Sequence, residues 1–158
     1  MMPQKVLSVS EAVSWMEHQR HDGVKIVFTN GVFDILHPGH VRYLQDARRE
    51  GDLLVVGVNS DRSVRAIKGP GRPINPENER AELVAALSSV NAVVIFDEVD
   101  PQQIISRLQP DVLAKGADWA ADRIIGRNIV EARGGRLVRI PLAEGYSTSD
   151  IIKKIRGL

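Results

Sequence analysis

Five short apolar runs alternate with segments of helical period along this chain, and that alternation limits the fold more than any other feature. The runs are Lys25–Thr29, Leu53–Asn59, Ala92–Phe96, Val112–Lys115 and Leu137–Ile140. They are rich in Val, Ile and Leu and carry no regular polar alternation, which is the pattern of strands buried on both faces. The segments between them place apolar residues on one helical face: Val41, Leu44 and Ala47; Ala81, Val84, Ala85 and Leu87; Ile104, Ile105 and Leu108; Ile125, Ile129 and Ala132. A last helix carries Ile151, Ile152 and Ile155. An N-terminal helix, Ser10 to His21, packs Ala12, Val13 and Met16 on the outside. Ser10, Pro76 and Asp100-Pro101 stand near helix starts, and Gly51, Gly134-Gly135 and Gly157 near helix ends.

A β-α-β-α order requires a parallel sheet with right-handed crossovers and helices on both faces. The expected architecture is α/β: one doubly wound, parallel, five-stranded sheet. Residues 1–158 are expected to form one domain, with 1–24 a helical extension and 25–158 the core. Ligands of such sheets bind beyond the carboxyl ends of the strands. Thr29–His40, Asn59–Arg62, Lys115–Asp118 and Tyr146–Ser149 all follow predicted strands, so four polar clusters are expected at one edge. The longest irregular stretch is Ser63–Asn75, with Lys68-Gly69-Pro70-Gly71-Arg72-Pro73 inside it. A loop of that length is usually functional or mobile.

The first cluster carries the most chemistry. Thr29-Asn30-Gly31-Val32-Phe33-Asp34-Ile35-Leu36-His37-Pro38-Gly39-His40 joins a strand to a helix. A helix start offers unpaired N–H groups and partial positive charge, which together favour phosphate. His37 and His40 add side-chain donors, Gly39 admits an anion to the backbone, and Pro38 stiffens the turn. Zinc is the rival use of two histidines, but no Cys and no third ligand at the usual spacing exist. A P-loop is excluded because the chain lacks Gly-x-x-x-x-Gly-Lys-Ser/Thr. The segment reads as a nucleotidyl-transfer site.

Composition removes several other classes. Lys and Arg number 21 against 20 Asp and Glu, a net charge of +1, which argues against a general nucleic-acid binder. The absence of Cys excludes disulfides and fits a reducing compartment. No run of ~18 apolar residues is present for a membrane span, and Met1–Ser10 lacks a signal-peptide stretch. A cytoplasmic chain is expected.

Gly31-Val32-Phe33-Asp34 followed by His37-Pro38-Gly39-His40 resembles the signature of the nucleotidyltransferases that include the glycerol-phosphate cytidylyltransferases. Downstream, Gly57 to Val64, Lys68-Gly69 with Arg72-Pro73-Ile74, Glu79-Arg80, Pro110-Asp111, Lys115 to Trp119 and Ser147-Thr148-Ser149 resemble the D-glycero-β-D-manno-heptose 1-phosphate adenylyltransferases. The resemblance runs from about Lys25 to the C-terminus and implies a Rossmann-like fold. It implies transfer of AMP from ATP to the heptose 1-phosphate, giving ADP-heptose for lipopolysaccharide core or surface-glycan assembly. Val32 stands where this family often has Cys, and Gly116-Ala117-Asp118-Trp119 where it has Gly-Gly-Asp-Tyr. Many relatives fuse a sugar kinase to this domain; here a separate kinase is expected to supply the substrate. Relatives commonly form homodimers.

Site roles follow from the resemblance and the chemistry together. His37, His40, Lys68 and Lys115 are the expected catalytic groups. Asn30, Gly31, Val32, Phe33, Gly39, Arg72, Arg80, Gly116, Ser147, Thr148 and Ser149 are expected to bind nucleotide and phosphate. Asp34, Asn59, Asp61, Arg62, Asp118 and Trp119 are expected on the sugar phosphate. Alternatives stay open at several of these positions: a surface helix for Arg80, a solvated loop for Lys68, a turn cap for Asp34, an N-cap for Ser147 to Ser149, and a core or interface place for Trp119. Arg42, Arg48 and Arg49 read as solvated. No dedicated metal site is expected; Mg²⁺ would be held mainly by ATP phosphates. Two rival functions remain: a cytidylyltransferase making a CDP-alcohol such as CDP-glycerol, and a non-catalytic nucleotide sensor.

Overall fold

The computed structural model describes residues 4–158. Of Met1–Ser10, expected to carry no leader, residues 1–3 lie outside the described residues. In chain order the elements are β1 (Val6–Leu7), α1 (Val9–Arg20), β2 (Ile26–Gly31), α2 (Pro38–Arg49), β3 (Leu53–Asn59), α3 (Asp61–Lys68), α4 (Glu77–Ala85), β4 (Ala92–Phe96), α5 (Gln102–Leu108), β5 (Val112–Gly116), α6 (Arg127–Ala132), β6 (Arg136–Ile140) and α7 (Thr148–Arg156). All strands pair in parallel, in the order β1-β4-β3-β2-β5-β6.

Within each buried strand, successive side chains feed opposite cores, as a period of two demands. Val27, Leu54, Val56, Val58 and Ala114 pack with Leu44 and Ala47 of α2 and Ala81 and Val84 of α4. Ile26, Phe28, Val55, Val94 and Leu113 pack on the other face with Ala12 and Met16 of α1, Ile104, Ile105 and Leu108 of α5, and Val130 of α6. The sheet is therefore covered on both sides.

Three expectations are corrected. Among the described residues the sheet has six strands, not five, because Val6 and Leu7 pair with Val93 and Val94 at one edge. The segment 1–24 thus contributes a strand as well as a helix. The first helix begins after Ser8, not Ser10: Ser8 and Glu11 form a reciprocal capping box, with Glu11 N–H donating to Ser8 Oγ at 3.1 Å and Ser8 N–H to Glu11 Oε2 at 2.7 Å. Finally, Ser63–Asn75 is not one long loop. Its first part belongs to α3, which Ser60 caps by accepting from Ser63 N–H at 3.2 Å.

Strand order fixes where a ligand can sit. From β2 the chain adds β3 and β4 on one side, then returns to add β5 and β6 on the other. The order reverses between β2 and β5, and the crevice beyond their carboxyl ends is the switch point of the sheet. The segment after β2 is Val32–His37, and that after β5 begins with Ala117 and Asp118.

Candidate active site

His37 is the N-cap of α2, and Pro38 occupies its first turn, where a missing N–H costs nothing. The spacing His-x-x-His puts both rings over one helix end. Their centroids lie 3.8 Å apart at an interplanar angle of 22°. His37 N–H donates to His40 Nδ1 at 3.3 Å. The proton of neutral His40 therefore sits on Nε2, which leaves that atom a donor. Phe33 supports the pair, its ring centroid 5.4 Å from that of His40. Phe33 is buried and adopts φ 49°, a left-handed conformation that a bulky side chain rarely takes. Such strain costs about 1–3 kcal/mol and persists where its surroundings enforce it.

His40 is neutral at neutral pH in the free protein, and burial disfavours the charged form of His37 as well. Burial lowers the His40 pKa to about 4, and the neighbouring His37 adds to the shift. Burial also lowers His37. Its Nδ1 and the Oδ1 of Asn30 are buried polar atoms without a hydrogen-bond partner. Unpaired buried polar atoms on a cavity wall are costly unless a ligand meets them.

Two cavities border the histidine pair. The larger, about 370 Å³, is bounded by Asn30, Gly31, Gly39, Tyr43, Lys115, Gly116, Asp118 and Trp119, together with Leu142, Ala143 and Tyr146. The smaller, about 290 Å³, is polar: Asp34, Lys68, Arg72, Ser147, Thr148 and Ser149 line it. Val32, Phe33, His37, His40 and Ser147 border both. A side chain at either of two glycines on these walls would displace a site residue. A Cβ on Gly39 would stand 2.8 Å from His37 Cε1, and one on Gly116 would stand 2.5 Å from Asp118 Oδ1.

The cations divide sharply. Lys115, the penultimate residue of β5, lines the larger cavity, its Nζ 5.7 Å from the Trp119 ring centroid. Burial lowers its pKa, and Asp118 offsets part of that. Lys68, at the exposed end of α3, has no ion-pair partner among the described residues. Arg72 borders the smaller cavity but donates from Nε to Asp34 Oδ2 at 2.7 Å. Asp34 is 1% exposed and also accepts from the N–H groups of Ile74 and Asn75, each at 2.9 Å. Burial alone would raise its pKa; the bonds from Asn75, Ile74 and Arg72 outweigh burial and hold it below the usual carboxylate value. Its carboxylate ties down the 72–75 turn.

Arg80 faces neither cavity and is not on the surface. It is 0% exposed, and its guanidinium donates to Val32 O at 2.7 Å, Asn75 O at 2.9 Å and Asp61 Oδ1 at 2.9 Å. Asn59, Asp61 and Arg62 also lie outside the two cavities. Asn59 is buried, Asp61 pairs with Arg80, and Arg62 pairs with Asp97. The cluster after β3 therefore does not join the three that meet at the switch point. Ser147 caps α7 by accepting from Asp150 N–H at 3.3 Å, and Thr148 Oγ1 donates to Ile35 O at 3.2 Å. Among the described residues no three His, Asp or Glu side chains gather as a metal cluster, and no helix is long and apolar enough to cross a membrane.

A family model described as cytidylyltransferase-like matches residues 28–154. The chain belongs to the cytidylyltransferase-like family. Curated relatives include a bifunctional protein HldE from Syntrophotalea carbinolica, 52% identical over 140 residues that cover 89% of this chain and 29% of that protein. Another, from Hyphomonas neptunium, is 51% identical over 149 residues, covering 94% and 31%. The chain thus spans less than a third of the length of these relatives. A crystal structure of a lipopolysaccharide core biosynthesis protein from Thermoplasma volcanium superposes with a TM-score of 0.64 at 31% identity, over 79% of this chain and 100% of that one. A pantoate-β-alanine ligase from Francisella tularensis reaches the same TM-score at 15% identity, a likeness of fold alone.

Tyr43, Leu142 and Ala143 of this family member's larger cavity are not singled out by sequence reasoning, whereas Tyr146 heads the Tyr146–Ser149 cluster expected at this edge. Tyr43 looks like one more apolar position of α2, yet its hydroxyl meets Thr29 Oγ1 at 2.8 Å and donates to Ala114 O at 3.3 Å, joining α2 to β2 and β5. Burial raises its pKa to about 12. Leu142, Ala143 and Tyr146 lie in an irregular segment with no periodicity to place them. Tyr146 carries the one usable signal, its position just before the Ser-Thr-Ser helix start.

Proposed function

We propose that this chain is the adenylyltransferase that moves AMP from ATP to D-glycero-β-D-manno-heptose 1-phosphate, giving ADP-heptose and pyrophosphate. One observation carries the reading: the stacked histidines at a helix N-terminus border two adjoining cavities at once. A displacement at the α-phosphorus needs entry and departure on opposite sides, with donors between them. The larger cavity suits the nucleoside and the sugar phosphate, with Lys115, Asp118 and Trp119 beside the latter. The smaller suits the β- and γ-phosphates, with Lys68, Arg72 and the start of α7 beside the departing pyrophosphate.

No protein nucleophile is required. A phosphate oxygen of the sugar attacks the α-phosphorus as the bond to pyrophosphate breaks. His40 Nε2–H and the His37 ring donate to phosphate oxygens, and the helix start adds its dipole. Mg²⁺ would ride on the triphosphate and neutralise its charge; Asp118 is the cavity carboxylate free to approach it, since Asp34 is fully bonded. The heptose specificity draws on the identity to the bifunctional HldE proteins and on the similarity to the lipopolysaccharide core biosynthesis protein. On this reading the chain works in the cytoplasm, and a sugar kinase, fused or separate, supplies the heptose 1-phosphate. Pyrophosphate release with ATP and CTP over a panel of heptose 1-phosphates and glycerol phosphate tests the proposal. ATP with a heptose 1-phosphate is expected to dominate; turnover with CTP and glycerol phosphate alone would reject it.

A further inference from the structure

We infer that Tyr146 is a positioning residue for His37 and that Arg42 holds Tyr146 in place, an inference that rests on His37 acting as a phosphate donor. The two imidazoles are not held alike. His40 has a hydrogen bond at Nδ1 and Phe33 against its ring. The His37 ring makes no full hydrogen bond among the described residues: its Nδ1 is buried and meets only the loose approach of the His40 N–H across the helix start, a group that already bonds His37 O at 3.0 Å. Packing therefore sets much of its direction. His40 covers one face at 3.8 Å. Tyr146 adds a nearly parallel ring, 16° from the His37 plane with centroids 6.1 Å apart, an offset-stacked geometry.

Tyr146 is in turn held by a cation. The Arg42 guanidinium carbon lies 5.1 Å from the centre of its ring, within cation–π range. Arg42 sits one turn into α2, so it bridges the helix that bears the histidines to the segment that covers them. It is not simply solvated, as its sequence position suggests. Gly39 lets the parts close together: a Cβ there would meet His37 Nδ1 at 2.9 Å and Tyr146 Cβ at 3.0 Å. The bonds of Ser147 and Thr148 pin the backbone just beyond Tyr146. Arg42, Tyr146, His37 and His40 thus form one continuous stack, and the last three border the larger cavity. The stack uses the ring of Tyr146; its hydroxyl has no partner among the described residues.

The test compares the full chain with Tyr146→Ala, Tyr146→Phe and Arg42→Ala. In the free protein, the His37 ring-proton resonances, assigned with His37→Gln, report the aromatic neighbour directly. They are expected to move in Tyr146→Ala and stay in Tyr146→Phe. With ATP and heptose 1-phosphate, Tyr146→Ala is expected to lower kcat about tenfold, since a small misplacement of a reacting group is costly. The KM for ATP should change less than about twofold. Tyr146→Phe should rescue kcat, and Arg42→Ala should fall between. Unmoved His37 resonances in Tyr146→Ala would overturn the inference. So would a raised KM for ATP at unchanged kcat, which would make Tyr146 a nucleoside shelf, or failure of Tyr146→Phe to rescue. If the parent chain shows no turnover with these substrates, the functional reading fails, while the resonances still decide whether the stack exists. Should Tyr146→Ala lose its fold, Tyr146→Leu replaces it in both measurements.

Discussion

Two groups of charges lie within a few residues of the histidine pair, and they have been put to opposite uses. In the first, Arg80 and Asp34 are buried, and their charged groups are engaged by the fold: Arg80 by Val32, Asn75 and Asp61, Asp34 by Arg72, Ile74 and Asn75. In the second, Lys115 and Lys68 reach the cavities with no ion pair among the described residues. A buried charge with every bond satisfied builds structure; a charge held over a cavity without a partner is available to a ligand. Residue type does not separate the two groups, and commitment of the polar atoms does.

The sharpest way to break that distinction is to remove a member of the first group. Arg80→Leu strips Val32 O and Asn75 O of a donor and leaves Asp61 uncompensated. Breaking a fully buried pair in this way costs about 3–5 kcal/mol; Asp61 keeps some solvent, so chemical denaturation should show a loss of about 2–4 kcal/mol, part of it from the carbonyls left without a donor. A loss under about 1 kcal/mol would mean that Arg80 is not structural. His40→Ala probes the opposite case. Removing one transition-state donor costs ~10²–10³ in turnover, with modest change in ATP affinity and a smaller stability effect than Arg80→Leu. Steady-state rates and a melting curve on one preparation check both parts.

These pairings explain what the sequence could and could not disclose. The non-alternating runs around Phe28, Val56 and Leu113 are a strong local signal, because a strand buried on both faces has no polar positions to spend. The histidine pair is legible for a similar reason, since His37-Pro38-Gly39-His40 combines donors, a helix start and backbone access within four residues. β1 is not legible: two residues, Val6 and Leu7, carry no period. α3 hides because Ser63 and Val64 alone are buried in it and Gly69-Pro70-Gly71 follows at once. The roles of Asp34 and Arg80 depend on partners at 38 and 48 residues' separation, Arg72 and Val32. No local pattern encodes such a pairing, so a carboxylate or guanidinium that fastens a turn reads the same as one that awaits a substrate.

A smaller effect sharpens the comparison from the side of the free cations. Lys115→Met should lower kcat/KM roughly ten- to a hundredfold, the worth of a charge-assisted hydrogen bond to phosphate. It should leave the melting temperature unchanged or raise it, because it removes an ammonium whose pKa burial has already lowered. Activity and stability would then move in opposite senses, whereas Arg80→Leu lowers stability first. A matching fall in melting temperature would place Lys115 with the structural charges.

The last comparison concerns pH, where the two regions should titrate in separate windows. His40 has a folded-state pKa of about 4 against an ordinary 6.5. Above 6.5 it is neutral folded and unfolded, and it contributes no pH dependence. Between 6.5 and about 4 the unfolded chain binds the proton more readily, so stability falls as the pH falls. Asp34 has its pKa below the ordinary 3.8, so its contribution is complete above that value and is lost only as the pH drops further. Melting curves from pH 7 to 4 should therefore slope downward in the parent chain and flatten in His40→Gln, while Asp34→Asn keeps the slope from a lower starting point. A ligand phosphate against the imidazoles would favour their protonated forms and raise both pKa values. Saturating ATP should accordingly weaken the slope. An unchanged slope would mean that the bound phosphates do not reach His40.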